Sequence, residues 1–219
     1  MDKKQEFIEI YKRNIKIEGA EKLLNWLEND SDFFTCPAST KFHNNFEGGL
    51  CEHSINVYNR LKKLVVMAFG ENYWENLKNI DGTNRTKEEI DETLAIIGLL
   101  HDICKVNTYK TDYKNVKVYS PNGSKIDNGG RFDWQTEQFY TVDDDLPYGH
   151  GEKSVYMISG FFKLSREQAM AINWHMSGFD LRVKAGSYAI SDVYYKYPLA
   201  LLLANADMIA TYLDETIKK

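Results

Sequence analysis

The stretch TKEEIDETLAIIGLLHDICK, residues 86–105, decides how this chain folds. Thr86 followed by Glu88 and Glu89 is a capping threonine with acids in the first turn, and Lys105 stands at the far end, the polarity that a helix dipole favours. Between them lies an apolar run, so the spacing predicts a buried helix that ends at His101-Asp102. Two polar side chains at the end of such a run need a partner, because an isolated buried carboxylate either costs several kcal/mol or neutralises itself. Neighbouring helical positions point about 100° apart, so His101 and Asp102 converge only on something lying across the helix end.

Working outward, the rest of the chain is mostly helical. KKQEFIEIYKRNI and GAEKLLNWLEND place apolar residues at steps of three and four, predicting two amphipathic helices within residues 1–35. The following FFTCPASTKFHNNFEGGL, with Pro37, Gly48 and Gly49, reads as a loop. LCEHSINVYNRLKKLVVMAF predicts a helix with His53 in its first turns. Helices resume at GEKSVYMISGFF, at SREQAMAINWHM and, as one long element, at DVYYKYPLALLLANADMIATYLDETI. Residues 106–148 differ: alternating β-type stretches around Pro-Asn-Gly and Asn-Gly-Gly predict a small β-hairpin inserted into a helical protein. The expected fold class is all-α, a helical bundle with that insertion, and one domain over residues 1–219.

Composition narrows the function. With 219 residues, 43% hydrophobic and 13% aromatic, the chain can bury one sizeable core. A net charge of −5 gives no global attraction to polyphosphate, and without an evident basic groove extended nucleic acid is not an expected partner. Cys36, Cys51 and Cys104, odd in number and scattered, form neither a disulfide framework nor a zinc motif and read as reduced thiols in a cytoplasm. No apolar run is long enough for a membrane span. Oligomeric state is open.

The chemistry lies in the placement of five histidines, His43, His53, His101, His150 and His175. His53 opens a helix, His101 closes one, His150 stands at a helix start and His175 ends AINWHM, while Asp207 is the one carboxylate delivered by the apolar PLALLLANADMIA. Taken singly, a helix-terminal histidine more often compensates a dipole than binds a ligand, and Asp207 alone answers a lysine as readily as a metal. Spaced together on separate helices, they are positions whose side chains can meet around a divalent metal.

The ordered set His53, His101-Asp102, His150, His175, Asp207 resembles the H…HD…H…H…D signature of the HD-domain metal-dependent phosphohydrolase superfamily. GGLCEHSINV and LLHDICK are similar to its first two motifs, and PASTKFHNNFEGGLCEHS is similar to the start of the HD domain in YhaM-like 3′→5′ exoribonucleases. The likeness covers roughly residues 36–215; the nucleic-acid-binding OB domain of those nucleases has no counterpart ahead of residue 36, and Cys104 stands where the superfamily usually has glycine. The resemblance implies that His53, His101, Asp102 and Asp207 hold one metal and His150 and His175 a second, with Asp102 bridging. One or two ions of Mn, Fe, Co, Ni, Zn or Mg suit these donors, and a metal-activated water would then attack the phosphate.

Around that centre, Lys105 and Lys153 are expected to contact substrate phosphate. Arg131 and Trp134, on an insertion expected to overhang the site, would grip a phosphate or stack on a base. Glu152 and His43 would support the ligands from behind. The expected activity is hydrolysis of a phosphate ester in a nucleotide or other small phosphorylated molecule. The alternatives are a nuclease acting on short single-stranded RNA or DNA and an inactive nucleotide-binding sensor.

Overall fold

The computed structural model describes residues 2–215. Helix dominates at 54%, in ten helices among the described residues, with one three-stranded antiparallel sheet. The N-terminal pair is α1 (Lys3–Asn14) and α2 (Ala20–Asn29). After a loop come α3 (Gly49–Phe69), the single turn α4 (Tyr73–Asn76) and α5 (Lys87–Leu100). The sheet strands are β1 (Tyr109–Tyr119), β2 (Lys125–Asp127) and β3 (Gly130–Val142). Then follow α6 (His150–Ser159), α7 (Arg166–Trp174), the short α8 (Leu181–Lys184), α9 (Ala189–Lys196) and α10 (Pro198–Ile209).

Helix α5 is the centre of the fold because its second half has no polar face to turn outward. Every residue from Thr93 to Leu100 is buried, and a helix apolar all round must be wrapped by others. Helix α3 lies along it, and α10 packs against α3 and α7. The shared core includes Leu50, Ile55 and Leu61 of α3, Leu94 and Ile97 of α5, and Leu199 and Leu203 of α10; each such side chain contributes about 1.5–3 kcal/mol on burial. Thr86 caps α5 as its sequence predicts, accepting from Glu89 N–H while the Glu89 carboxylate accepts from Thr86 N–H. Gly98 lets α3 and α5 touch: a Cβ there would lie 2.8 Å from Tyr58 Cα.

Two elements differ from expectation. The long C-terminal helix is broken, since Pro198 lacks an N–H and starts a new helix at its first position, leaving α9 and α10 as separate elements. Residues 216–217, the end of the expected helix, lie outside the described residues. The hairpin is a three-stranded sheet in the order β1–β3–β2, because Pro-Asn-Gly and Asp-Asn-Gly-Gly each form a turn and leave room for β2 between them. Its strands pack on one another rather than on helices, and most of β1 and β3 is solvent-exposed. The base alone meets the body, where Tyr109 packs against the core and Asp143 N–H donates to Thr108 O.

Candidate metal centre

Four helix ends and one helix interior deliver the polar side chains to one place. His53 lies in the first turns of α3, whose start is pressed against the preceding loop: a Cβ on Gly49 would come within 2.0 Å of Asn44 O. His101 caps the C-terminus of α5 and Asp102 follows it. His150 is the first residue of α6, His175 caps the end of α7, and Asp207 projects from α10. His53, His101, Asp102 and His175 are all almost fully buried.

Asp102 divides its two oxygens between two pairs of imidazoles. Oδ2 is 3.3 Å from His53 Nε2 and 3.6 Å from His101 Nε2, whereas Oδ1 is 2.7 Å from His150 Nε2 and 3.2 Å from His175 Nε2. Asp207 Oδ1 joins the first pair, 3.3 Å from His53 Nε2. The imidazoles are oriented from behind: His101 Nδ1–H donates to Gly98 O at 2.9 Å and His175 Nδ1–H to Ile172 O at 2.6 Å. A carbonyl only accepts, so the neutral tautomer of each ring turns the Nε2 lone pair inward.

These groups stand within metal-ligating distance of one another. The sets His53–His101–Asp102, His101–His175–Asp207 and Asp102–His150–His175 each offer donor atoms within 4.8 Å. His53 Nε2 and His101 Nε2 approach to 3.2 Å, and His175 Nε2 is buried without a hydrogen bond. Inward lone pairs, two carboxylates and an orphaned buried nitrogen fit divalent cations with mixed nitrogen and oxygen preference.

Electrostatics follow from the same contacts. Burial holds His101 neutral, down to about 3. Burial also opposes charge on His53 and His150, but carboxylates Asp102, Asp207 and Glu215 outweigh it and raise His53 well above the usual value, while Cys104 and Asp102 raise His150 to about 10. Burial disfavours the Asp102 carboxylate, yet Lys105 and the surrounding histidines hold its pKa well below the usual range. Lys105 Nζ is 2.6 Å from Asp102 Oδ2.

Over the cluster lies a cavity of about 510 Å³, with Asp102, Lys105, His150, His175 and Asp207 in its lining and Phe42, Phe179 and Tyr212 beside them. Lys105 thus lines the cavity beside Asp102. His43 also lines the cavity, its ring centroid 4.9 Å from that of His53, and burial lowers it to about 4. The other expected contacts are not brought there. Lys153 is buried against Asp144 at 2.5 Å and Thr108 Oγ1 at 3.0 Å, and Glu152 pairs with Arg182 at 2.8 Å. Arg131 donates to Gly123 O, and Trp134 packs edge-on to Phe132 with Lys117 over its ring. The strand register explains this departure from an overhanging insertion: Tyr109 pairs with Val142 at the base, and Trp134 lies eight residues further out, roughly 27 Å along a strand rising 3.4 Å per residue.

Glu215 was not among the expected residues. Its carboxylate accepts from His53 Nδ1 at 2.9 Å and from Asn56 Nδ2 at 3.2 Å, orienting His53 as the carbonyls orient His101 and His175. No sequence signal marks it apart from other acids, since its partner is 162 positions away. Comparison of the chain with protein-family models, with curated proteins and with solved structures finds no match.

Proposed function

We propose that this chain is a divalent-metal-dependent phosphohydrolase of the HD type that its motifs resemble, acting on a small phosphorylated molecule such as a nucleotide. The observation that carries the reading is the division of the Asp102 oxygens between two imidazole pairs, the arrangement a bridging carboxylate needs. His53, His101, Asp102 and Asp207 would hold one ion, and Asp102, His150 and His175 another. When bound, such ions supply a water acidified toward neutral pH and positive charge for phosphoryl oxygens.

The chain's own residues favour a compact phosphate ester. Lys105 keeps a positive charge beside Asp102 at the cavity wall, where it can orient an anion before reaction. The cavity volume lies within the range of small-molecule sites. Aromatic and methionine walls, Phe42, Phe179, Met176 and Met208, give it an apolar rim that limits water.

Elemental analysis of purified protein, followed by turnover of a nucleotide panel with the metal found, tests this. One to two metal equivalents and hydrolysis of mononucleotides are expected. Asp102→Asn should lower turnover by at least about a hundredfold with helical circular dichroism retained, because the amide keeps the shape and loses the charge. Processive shortening of labelled single-stranded oligomers without mononucleotide turnover would favour a nuclease. Tight nucleotide binding without any turnover would favour a sensor.

A further inference from the structure

The two halves of the cluster are held differently. On the Asp102 Oδ2 side, His53 and His101 are fully buried, each Nδ1 meets an oxygen, from Glu215 and Gly98, and Asp207 adds a second carboxylate. On the Oδ1 side, His175 is fixed by Ile172 O, but His150 is not fixed in this way. Its side chain is 32% exposed, and among the described residues no oxygen accepts from its Nδ1. Its neighbour there is a sulfur: Cys104 Sγ lies 3.5 Å from Nδ1 and 3.4 Å from Nε2. Near-equal distances to both nitrogens place the sulfur against the ring between them.

Cys104 is itself well anchored. It is buried, and its backbone N–H donates to Ser154 Oγ at 3.2 Å, one turn beyond His150 on α6. His150 Nε2 is held by Asp102 Oδ1 at 2.7 Å, and the sulfur contact adds a second restraint, against rotation of the imidazole about that bond. Lying between the two nitrogens, the sulfur lines up with neither N–H, so it restrains the ring by packing, more softly than the hydrogen bonds that hold Nδ1 of the other three rings. The same half also contains the orphaned, buried His175 Nε2, aimed at Asp102 Oδ1. With Asp207 counted on the side of His53, which its Oδ1 approaches to 3.3 Å, this half offers three protein donors where the other offers four.

We propose that Cys104 is a positioning residue for His150, and that its contact sets the affinity of the His150–His175 half, the weaker and more readily exchanged of two cation positions. This rests on the metal reading of the centre. It goes further in ranking the two positions and in giving a role to a side chain that touches no reacting atom.

Calorimetric titration of the metal-free protein with Mn²⁺ tests the ranking. Wild type should show two steps separated by about tenfold or more, and Cys104→Ala should weaken the second step by about 10–100-fold, leaving the first within about threefold. Cys104→Ser, nearly isosteric, should keep the fold and recover part of the loss. Nitrogen NMR of the metal-free protein supplies a readout without any ion: in Cys104→Ala the His150 ring resonances should shift while those of His101 and His175 stay. Equal weakening of both steps, or an unchanged second step, would overturn the assignment. If wild type takes up no Mn²⁺, the metal reading falls and the ranking with it, whereas unshifted His150 resonances would overturn the positioning role of Cys104 alone.

Discussion

Glu215 carries a fully buried carboxylate whose two oxygens both approach His53 Nδ1, at 2.9 and 3.1 Å. A carboxylate behind an imidazole fixes the ring and raises its basicity. Glu215→Gln should therefore weaken metal binding by about 10–100-fold with the fold retained, read by competition with a chelator. Protonation adds a second expectation. His53 is raised well above its usual value and His150 to about 10, so at neutral pH the metal-free protein holds both protonated. A cation must displace those protons, so apparent affinity should rise with pH across the neutral range, by up to tenfold per unit for each proton released. Titrations in buffers of different ionisation enthalpy would detect the released protons; a pH-independent affinity would contradict the assignment of these rings. At this scale the histidines and Asp102 were legible because they are scarce and costly to bury, so each needs a reason. Glu215 and the sulfur contact of Cys104 were not, since an acid among 32 acids and a thiol among three acquire meaning only from distant partners.

Among the elements, the junction of α3 with α5 sets the spacing of the first two candidate ligands, His53 and His101. Tyr58 and Gly98 meet backbone to backbone, and Gly98 also supplies the carbonyl that orients His101. Gly98→Ala would force the helices apart, so it should destabilise the protein by about 1–3 kcal/mol, measured by denaturant titration. It should also weaken metal uptake, because His53 rides on one helix and His101 on the other. A loss of stability with metal uptake intact would show that the ligands tolerate the shift. The caps, the amphipathic pair at the N-terminus and the apolar α5 could be read from local pattern because local energetics decide them. The break at Pro198 was equally local, but the hydrophobic periodicity on both sides of it masked it. The short β2 escaped because three residues between two turns carry too little alternation, and pairing with β3 is what makes them a strand.

For the molecule as a whole, helical body and sheet are joined but not interleaved. Tyr109 and Val142 are cross-strand partners at the base, and further out the strands pair with each other without resting on helices. Replacing residues 112–139 with Asn-Gly, a two-residue turn suited to join Thr111 and Tyr140, should leave the metal content unchanged and the melting temperature of the body within about 4 °C. A collapse in stability would mean that the sheet supports the core. That the insertion is separate was visible in the sequence, from the change in composition over residues 106–148; where it points was not, because direction is set by register. Since the chain leaves the helical body and returns to it through one doorway, lengthening, exchanging or losing the outer sheet is a single edit at a place remote from the candidate ligands. The appendage is thus the part of this architecture that can vary in length without touching the buried histidine–aspartate cluster.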